Sequence, residues 1–145
     1  MKGYEYYIRA IAYGMRYAND QNLAAYSITN QQARLLGDIH DRLERGNEIS
    51  RKSLSEAMGL SGPSVTSLLN GLEKNGFIIR HQGDEDGRTM RIDITAKAMT
   101  LINETENVFA ETEWKLLAGF TEGQQKMFLE MLQKAYENIG MGGFS

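Results

Sequence analysis

Residues 49–76 read ISRKSLSEAMGLSGPSVTSLLNGLEKNG, two short amphipathic segments on either side of Gly59, Leu60 and Ser61. That pattern predicts a helix-turn-helix. In the first segment Leu54 and Met58 line the inner face. Gly59 can supply the positive φ of a tight turn, and Leu60 plugs its corner. The second segment opens with Ser61 or Gly62 as cap and Pro63 in its first turn, where a missing N–H is harmless. Val65, Leu68, Leu69 and Leu72 then recur at i, i+3, i+4 and i+7 and define a buried face. Pro63, Thr66, Ser67, Asn70 and Lys74 lie on the opposite side, so small hydrogen-bonding residues face outward.

Downstream, Gly76 ends the second helix and two strand-like runs follow, FIIRHQ and MRIDI. Met90, Ile92 and Ile94 face one way, Arg91 and Asp93 the other. Between the runs lies GDEDGR (83–88), with Arg88 beside Asp84, Glu85 and Asp86. A helix-turn-helix followed by a β-hairpin is a winged helix, and this loop is the tip of its wing. Upstream, Thr29 and Gln32 stand in the positions of a capping box ahead of Leu36, Ile39 and Leu43. At the start of the chain, Tyr4, Ile8, Ile11, Met15 and Ala18 recur at helical spacing. At its other end, Ala98, Ile102, Thr105, Phe109, Thr112 and Leu116 form a coiled-coil-like seam. Thr121 and Gln124 then open a last helix carrying Phe128, Met131, Leu132, Ala135 and Ile139.

The expected fold is therefore mainly α with a small β-hairpin wing (α+β), a winged helix-turn-helix flanked by terminal helices. We read residues 1–145 as one unit, with 29–95 the winged helix and 1–28 and 96–140 dimerisation helices, because their apolar faces exceed what the small central domain can cover.

Composition narrows the function. The net charge of −3 gives no global basic footprint, so any contact with phosphate depends on where individual cations sit. For Arg51, Lys52, Lys74, Arg80 and Arg91, solvated surface charge is the default for any one residue, and some of them are expected to meet phosphate. The absence of cysteine excludes disulfides and thiolate metal sites, and His40 and His81 alone make a poor start on a histidine site. No metal or other cofactor is expected. No apolar run approaches the roughly 18 residues of a membrane span, and the start lacks the apolar centre of a signal peptide, so the expectation is cytoplasmic, without a membrane partner. No phosphate-cradling glycine loop, nucleophile elbow or metal-ligand cluster argues for an enzyme. Met90, Met99, Met127 and Met131 read as core filler.

The stretch SEAMGLSGPSVTSLLNGLEKNGFIIRHQGDEDGRTMRIDITAKA resembles the MarR family of bacterial transcriptional regulators. That family shows a helix-turn-helix, a leucine-rich helix ending in a phrase like LEKNG, two strands, and a D-x-R wing followed by LT. The wing here is Asp86, Gly87 and Arg88, closed by Ile94 and Thr95, and ITNQQARLL resembles the opening of the family's second helix. The likeness covers nearly the whole chain. It implies a homodimeric, sequence-specific regulator, repressor or activator, on a palindromic promoter duplex, with the helix from Ser61 to Asn75 in the major groove and the wing in an adjacent minor groove. The DNA-binding set it implies is Ser61, Pro63, Ser64, Thr66, Ser67, Asn70, Lys74, Asp86 and Arg88. Arg88 would enter the minor groove while Asp86 orients its guanidinium. For Asn70, an asparagine–adenine pair is worth about 1–3 kcal/mol of discrimination.

The family also often answers to small aromatic or anionic effectors. Tyr13, Tyr17 and His40 are the candidates, although the tyrosines at 4, 6, 7, 13, 17 and 26 better suit packing at a dimer interface. One departure stands out: many relatives carry arginine in the recognition helix, where this chain has Gly62 and Ser67. The competing reading is a winged-helix protein-interaction module of antirepressor type, without specific DNA binding.

Overall fold

The computed structural model describes residues 1–81 and 89–139. Among these are seven α-helices, one 3-10 turn and a two-stranded antiparallel hairpin, so the mainly helical fold with a wing is as expected. The residues form two compact units, one built from Met1–Asn30 with Thr105–Ile139 and the other from Gln31–Glu104. Asp84, Glu85, Asp86 and Arg88 lie outside the described residues.

The second unit is the winged helix. It runs through α2 (Asn30–Arg45), α3 (Arg51–Met58), α4 (Gly62–Lys74), β1 (Ile78–His81), β2 (Arg91–Ile94) and α5 (Ala96–Thr105). Leu35, Leu36, Ile39, Ile49, Leu54, Val65, Leu69, Leu72, Phe77, Ile78, Ile92, Ala98 and Leu101 make one continuous core. The turn between α3 and α4 works as the sequence requires, with Gly59 at φ 66°. A contact that periodicity does not show reinforces it: buried Ser55 donates its hydroxyl to the Leu60 carbonyl, while Leu60 N–H donates to Ser55 O. Ser50 and Ser53 form a reciprocal capping box at the start of α3.

The hairpin pairs Ile78 with Ile94, Ile79 with Asp93, Arg80 with Ile92 and His81 with Arg91. The loop-side end of its second strand is anchored to the segment before α3, because Ser50 bridges Thr89, Met90 N–H donates to Ile49 O, and Thr89 Oγ1 donates to Glu48. Thr95 joins hairpin to α5, donating to the carbonyls of Gly76 and Phe77 and accepting from Ala98 N–H.

The first unit contains α1 (Tyr4–Leu23), a 3-10 turn (Ala24–Tyr26), α6 (Val108–Leu116) and α7 (Glu122–Ile139). Helix α1 packs against α6. The expected capping box of α7 is present: Thr121 N–H donates to Gln124 Oε1, and Gln124 N–H to Thr121 Oγ1. The continuous seam is not. The helix breaks at Glu106 and Asn107, so α5 and α6 are separate, and the break falls between β-branched Thr105 and Val108, which like asparagine favour helix weakly. Nor is Thr112 a seam residue in an apolar stripe. It donates to buried Asn19 Oδ1, Asn19 Nδ2 donates to Asn30 Oδ1, and Asn30 N–H donates to Asp20, a polar network inside this unit.

Leu23 and Ile28 are the buried hydrophobic residues of this unit. Met127 and Met131, expected as core, are instead more than half exposed on α7. The reason is that α7 buries none of its residues within this chain. No helix among the described residues is long and apolar enough to cross a membrane.

Candidate nucleic-acid interface

Helix α4 is fixed by its inner face and presents its outer one. Val65, Leu69 and Leu72 are fully buried, which orients the helix. Leu68, expected beside them, is only half-buried at the edge of that face. Opposite them, Pro63, Ser67, Asn70 and Lys74 are exposed and follow one another at i, i+4, i+7 and i+11. Among the described residues, neither the Ser67 hydroxyl nor the Lys74 ammonium has a partner.

Other expected members are already engaged. Ser61 caps α4: its Oγ accepts from Ser64 N–H and donates to the Ser64 hydroxyl. Thr66 donates back to Gly62 O at 3.1 Å and accepts from Arg51 at 3.3 Å. Arg51, at the first position of α3, therefore lies across the N-terminal turn of α4, its Cδ in van der Waals reach of a Cβ added at Gly62. A guanidinium thus reaches the recognition helix from its neighbour, although the helix itself carries none. Sequence offers no signal for this, because residues 51 and 66 lie on different helices.

At the far end of α4, strand alternation sets Arg80 on the inner side of the hairpin with buried Ile78 and Ile92, facing α4. Arg80 Nε and Nη2 donate to Glu73 Oε1 at 3.2 and 2.8 Å, its backbone N–H donates to Glu73 Oε2 at 3.2 Å, and Nη2 also reaches Asn70 Oδ1 at 2.7 Å. The side-chain bonds from Arg80, followed by the backbone one, hold the Glu73 carboxyl below its ordinary range. Arg80 is thus an internal tie rather than a free surface cation. On the hairpin's other face His81 Nε2 lies 2.6 Å from Asp93 Oδ2, while Arg91 has no partner among the described residues.

The effector candidates are placed as follows. Tyr13 and Tyr17 stack on exposed α1 with ring centroids 6.4 Å apart, and Tyr6, Arg9, Ala10 and Tyr13 line a shallow groove on the same helix. His40 is half-buried on α2, 3.9 Å from Glu44.

Residues 28–90, which take in the helix-turn-helix and the first strand of its hairpin, match the family model described as the MarR family. Over these residues the chain is similar to the MarR family. The MarR-type fold extends over the rest of the chain in solved structures. One similar structure is MepR of Staphylococcus aureus in complex with DNA, 27% identical, covering 94% of this chain and 96% of that one, with a TM-score of 0.83. MepR also appears as a transcription regulator of the multidrug efflux pump MepA, 26% identical over 95% and 99% of the two chains, with a TM-score of 0.63. A MarR-family regulator from Listeria monocytogenes complexed with a 26mer DNA shares the fold, at 23% identity, 96% and 90% coverage and a TM-score of 0.79.

Proposed function

We propose that this MarR-family chain is a sequence-specific transcription regulator that binds promoter duplex DNA as a homodimer. The observation that carries the reading is the outward stripe of α4, whose Ser67 and Lys74 have no partners among the described residues while the opposite face is locked into the core. Pro63, Ser67, Asn70 and Lys74 then follow the major groove, with Ser64 and the Arg51 guanidinium at the N-terminal end of the helix near phosphate. Ser61 and Thr66 act indirectly, by holding that end in shape. Asp86 and Arg88 supply the minor-groove contact from the wing. That DNA is bound in the complex of a relative 27% identical to this chain supports the same ligand here.

The exposed apolar residues of α1 and α7, including Ile8, Ile11, Leu132 and Ile139, form the dimer interface. Tyr13, Tyr17 and His40 remain the residues through which a small aromatic or anionic effector would act. By linkage, an effector that weakens DNA binding must itself bind the DNA-bound form less well, by the same factor.

Selection of the purified protein against a random duplex pool at near-physiological salt tests the function. Enrichment of an inverted repeat, with half-sites about one helical turn apart, is the expected result. A folded protein that enriches nothing belongs instead with the protein-interaction reading.

A further inference from the structure

Asn70 sits exposed in the middle of the α4 stripe, where an asparagine is expected to pair with adenine. Such a pair needs both ends of the amide: the oxygen accepts from adenine N6, and the NH2 donates to N7. Here one of the oxygen's two lone pairs is already engaged, by a cation. Arg80 Nη2 lies 2.7 Å from Asn70 Oδ1. Guanidinium has five donors and no acceptor, so the amide cannot be turned the other way round against it. Arg80 in turn is not free to leave. Three further hydrogen bonds tie it to Glu73, one of them from its own backbone, and the strand pairing of Arg80 with Ile92 sets which side of the hairpin it occupies. Glu73 and Asn70 are one turn apart on α4, so a single guanidinium spans both. The NH2 group of Asn70 has no partner among the described residues.

Resting on the DNA-binding reading above, we infer that Arg80, held by Glu73, is the positioning residue that fixes the Asn70 amide with its NH2 group free, so that Asn70 meets duplex DNA as a hydrogen-bond donor while its oxygen is shared with a guanidinium. Its target is an acceptor: guanine O6 or N7, thymine O4, or a phosphate oxygen. Adenine also offers N7, but its neighbouring N6 amino group is a donor that would have to share Asn70 Oδ1 with the Arg80 guanidinium, and for that reason it is the base this arrangement disfavours. A residue that resembles an adenine reader thereby acquires the opposite preference from an arginine ten positions along the chain, on another element.

The test compares wild type, Asn70→Ala and Arg80→Met in the same duplex selection, with affinities measured on the enriched sites and thermal melts run in parallel. If Asn70 reads a base, Asn70→Ala removes the preference at one position of each half-site, that position is guanine or thymine in the wild-type selection, and Arg80→Met admits adenine there. If it meets phosphate, Asn70→Ala weakens every site by about the same 2- to 12-fold, the worth of one hydrogen bond, and shifts no base. A wild-type adenine at the Asn70-dependent position overturns the inference. So does an Asn70→Ala protein with unchanged affinity and preference, or a base-reading Asn70 whose preference ignores Arg80→Met. Melts like wild type separate these readings from simple unfolding. A folded wild type that enriches no sequence overturns the DNA-binding reading itself, and this inference with it.

Discussion

Thr66 and Ser67 are adjacent hydroxyls on one helix with different roles. Thr66 bonds back to Gly62 and to Arg51, whereas Ser67 faces outward without a partner among the described residues. Ser67→Ala should therefore weaken duplex binding by about 0.5–1.5 kcal/mol and leave the melting temperature in place, read by fluorescence anisotropy beside a calorimetric melt. The core makes a similar distinction. Leu69 is fully buried and Leu68 is not. Leu69→Ala should cost about 2–5 kcal/mol in urea unfolding, and Leu68→Ala clearly less; equal losses would mean that the inner face is centred elsewhere. Both cases mark what the sequence could reveal at this scale. A period of 3.6 identifies a face, but Leu68 and Leu69 both satisfy it, and which one lies at the boundary depends on the neighbours. The Thr66 hydroxyl bonds back within its own helix, but that it also accepts from Arg51, a residue of another helix, is not legible from spacing.

At the scale of elements, the helix-turn-helix was the legible part, because its signals are local: Gly59 at the turn, a serine cap and Pro63 at the start of α4, and leucines at fixed spacing. The hairpin was legible as a hairpin but not as an anchored one. Its attachments run from Thr89 and Met90 to Glu48, Ile49 and Ser50, about forty residues away, and no periodicity joins them. The seam through α5 and α6 was misread because the spacing continues across a backbone break at residues 106–107. The tie between hairpin and α4 also carries a pH sign. Glu73 is held below its ordinary range by Arg80, so the stabilisation from that pair is present above the unfolded carboxylate pKa and lost as pH falls through the lowered folded value. The contribution of Arg80 to stability, taken as the difference in melting temperature between wild type and Arg80→Met, should hold from neutral pH downward and shrink only below the ordinary carboxylate range. A difference that vanishes nearer neutrality would assign the tie to another group. Arg88→Ala, at the residue the proposed function assigns to the minor groove, should weaken specific binding by about 1–3 kcal/mol and leave the melt unchanged. Unchanged affinity at moderate salt would remove the wing from recognition.

Taken whole, the molecule divides its apolar residues unevenly. The winged helix has a continuous core, whereas the unit made from the two ends of the chain buries Leu23 and Ile28, leans on the polar network of Asn19, Asn30 and Thr112, and leaves Ile8, Ile11, Met127, Met131 and Leu132 exposed. Apolar faces of that extent on α1 and α7 mark an interaction surface, and in the proposed homodimer a second copy would cover both by one symmetry operation. Leu132 lies in the middle of α7, so Leu132→Glu places a charge in the face assigned to the proposed dimer, at a position exposed within the chain and hence without cost to the winged helix. The variant should run as a monomer by light scattering at micromolar concentration, where wild type runs as a dimer. Its winged helix should still fold, and its affinity for an inverted repeat should fall by about 10²- to 10⁴-fold, because two half-sites held by one dimer gain the effective concentration that two separate monomers lack. Its affinity for an isolated half-site should match that of wild type. A variant that stays dimeric and binds the full site normally would move the interface off α7; one that becomes monomeric yet binds the full site as well as before would mean that the two half-sites are not read by one dimer.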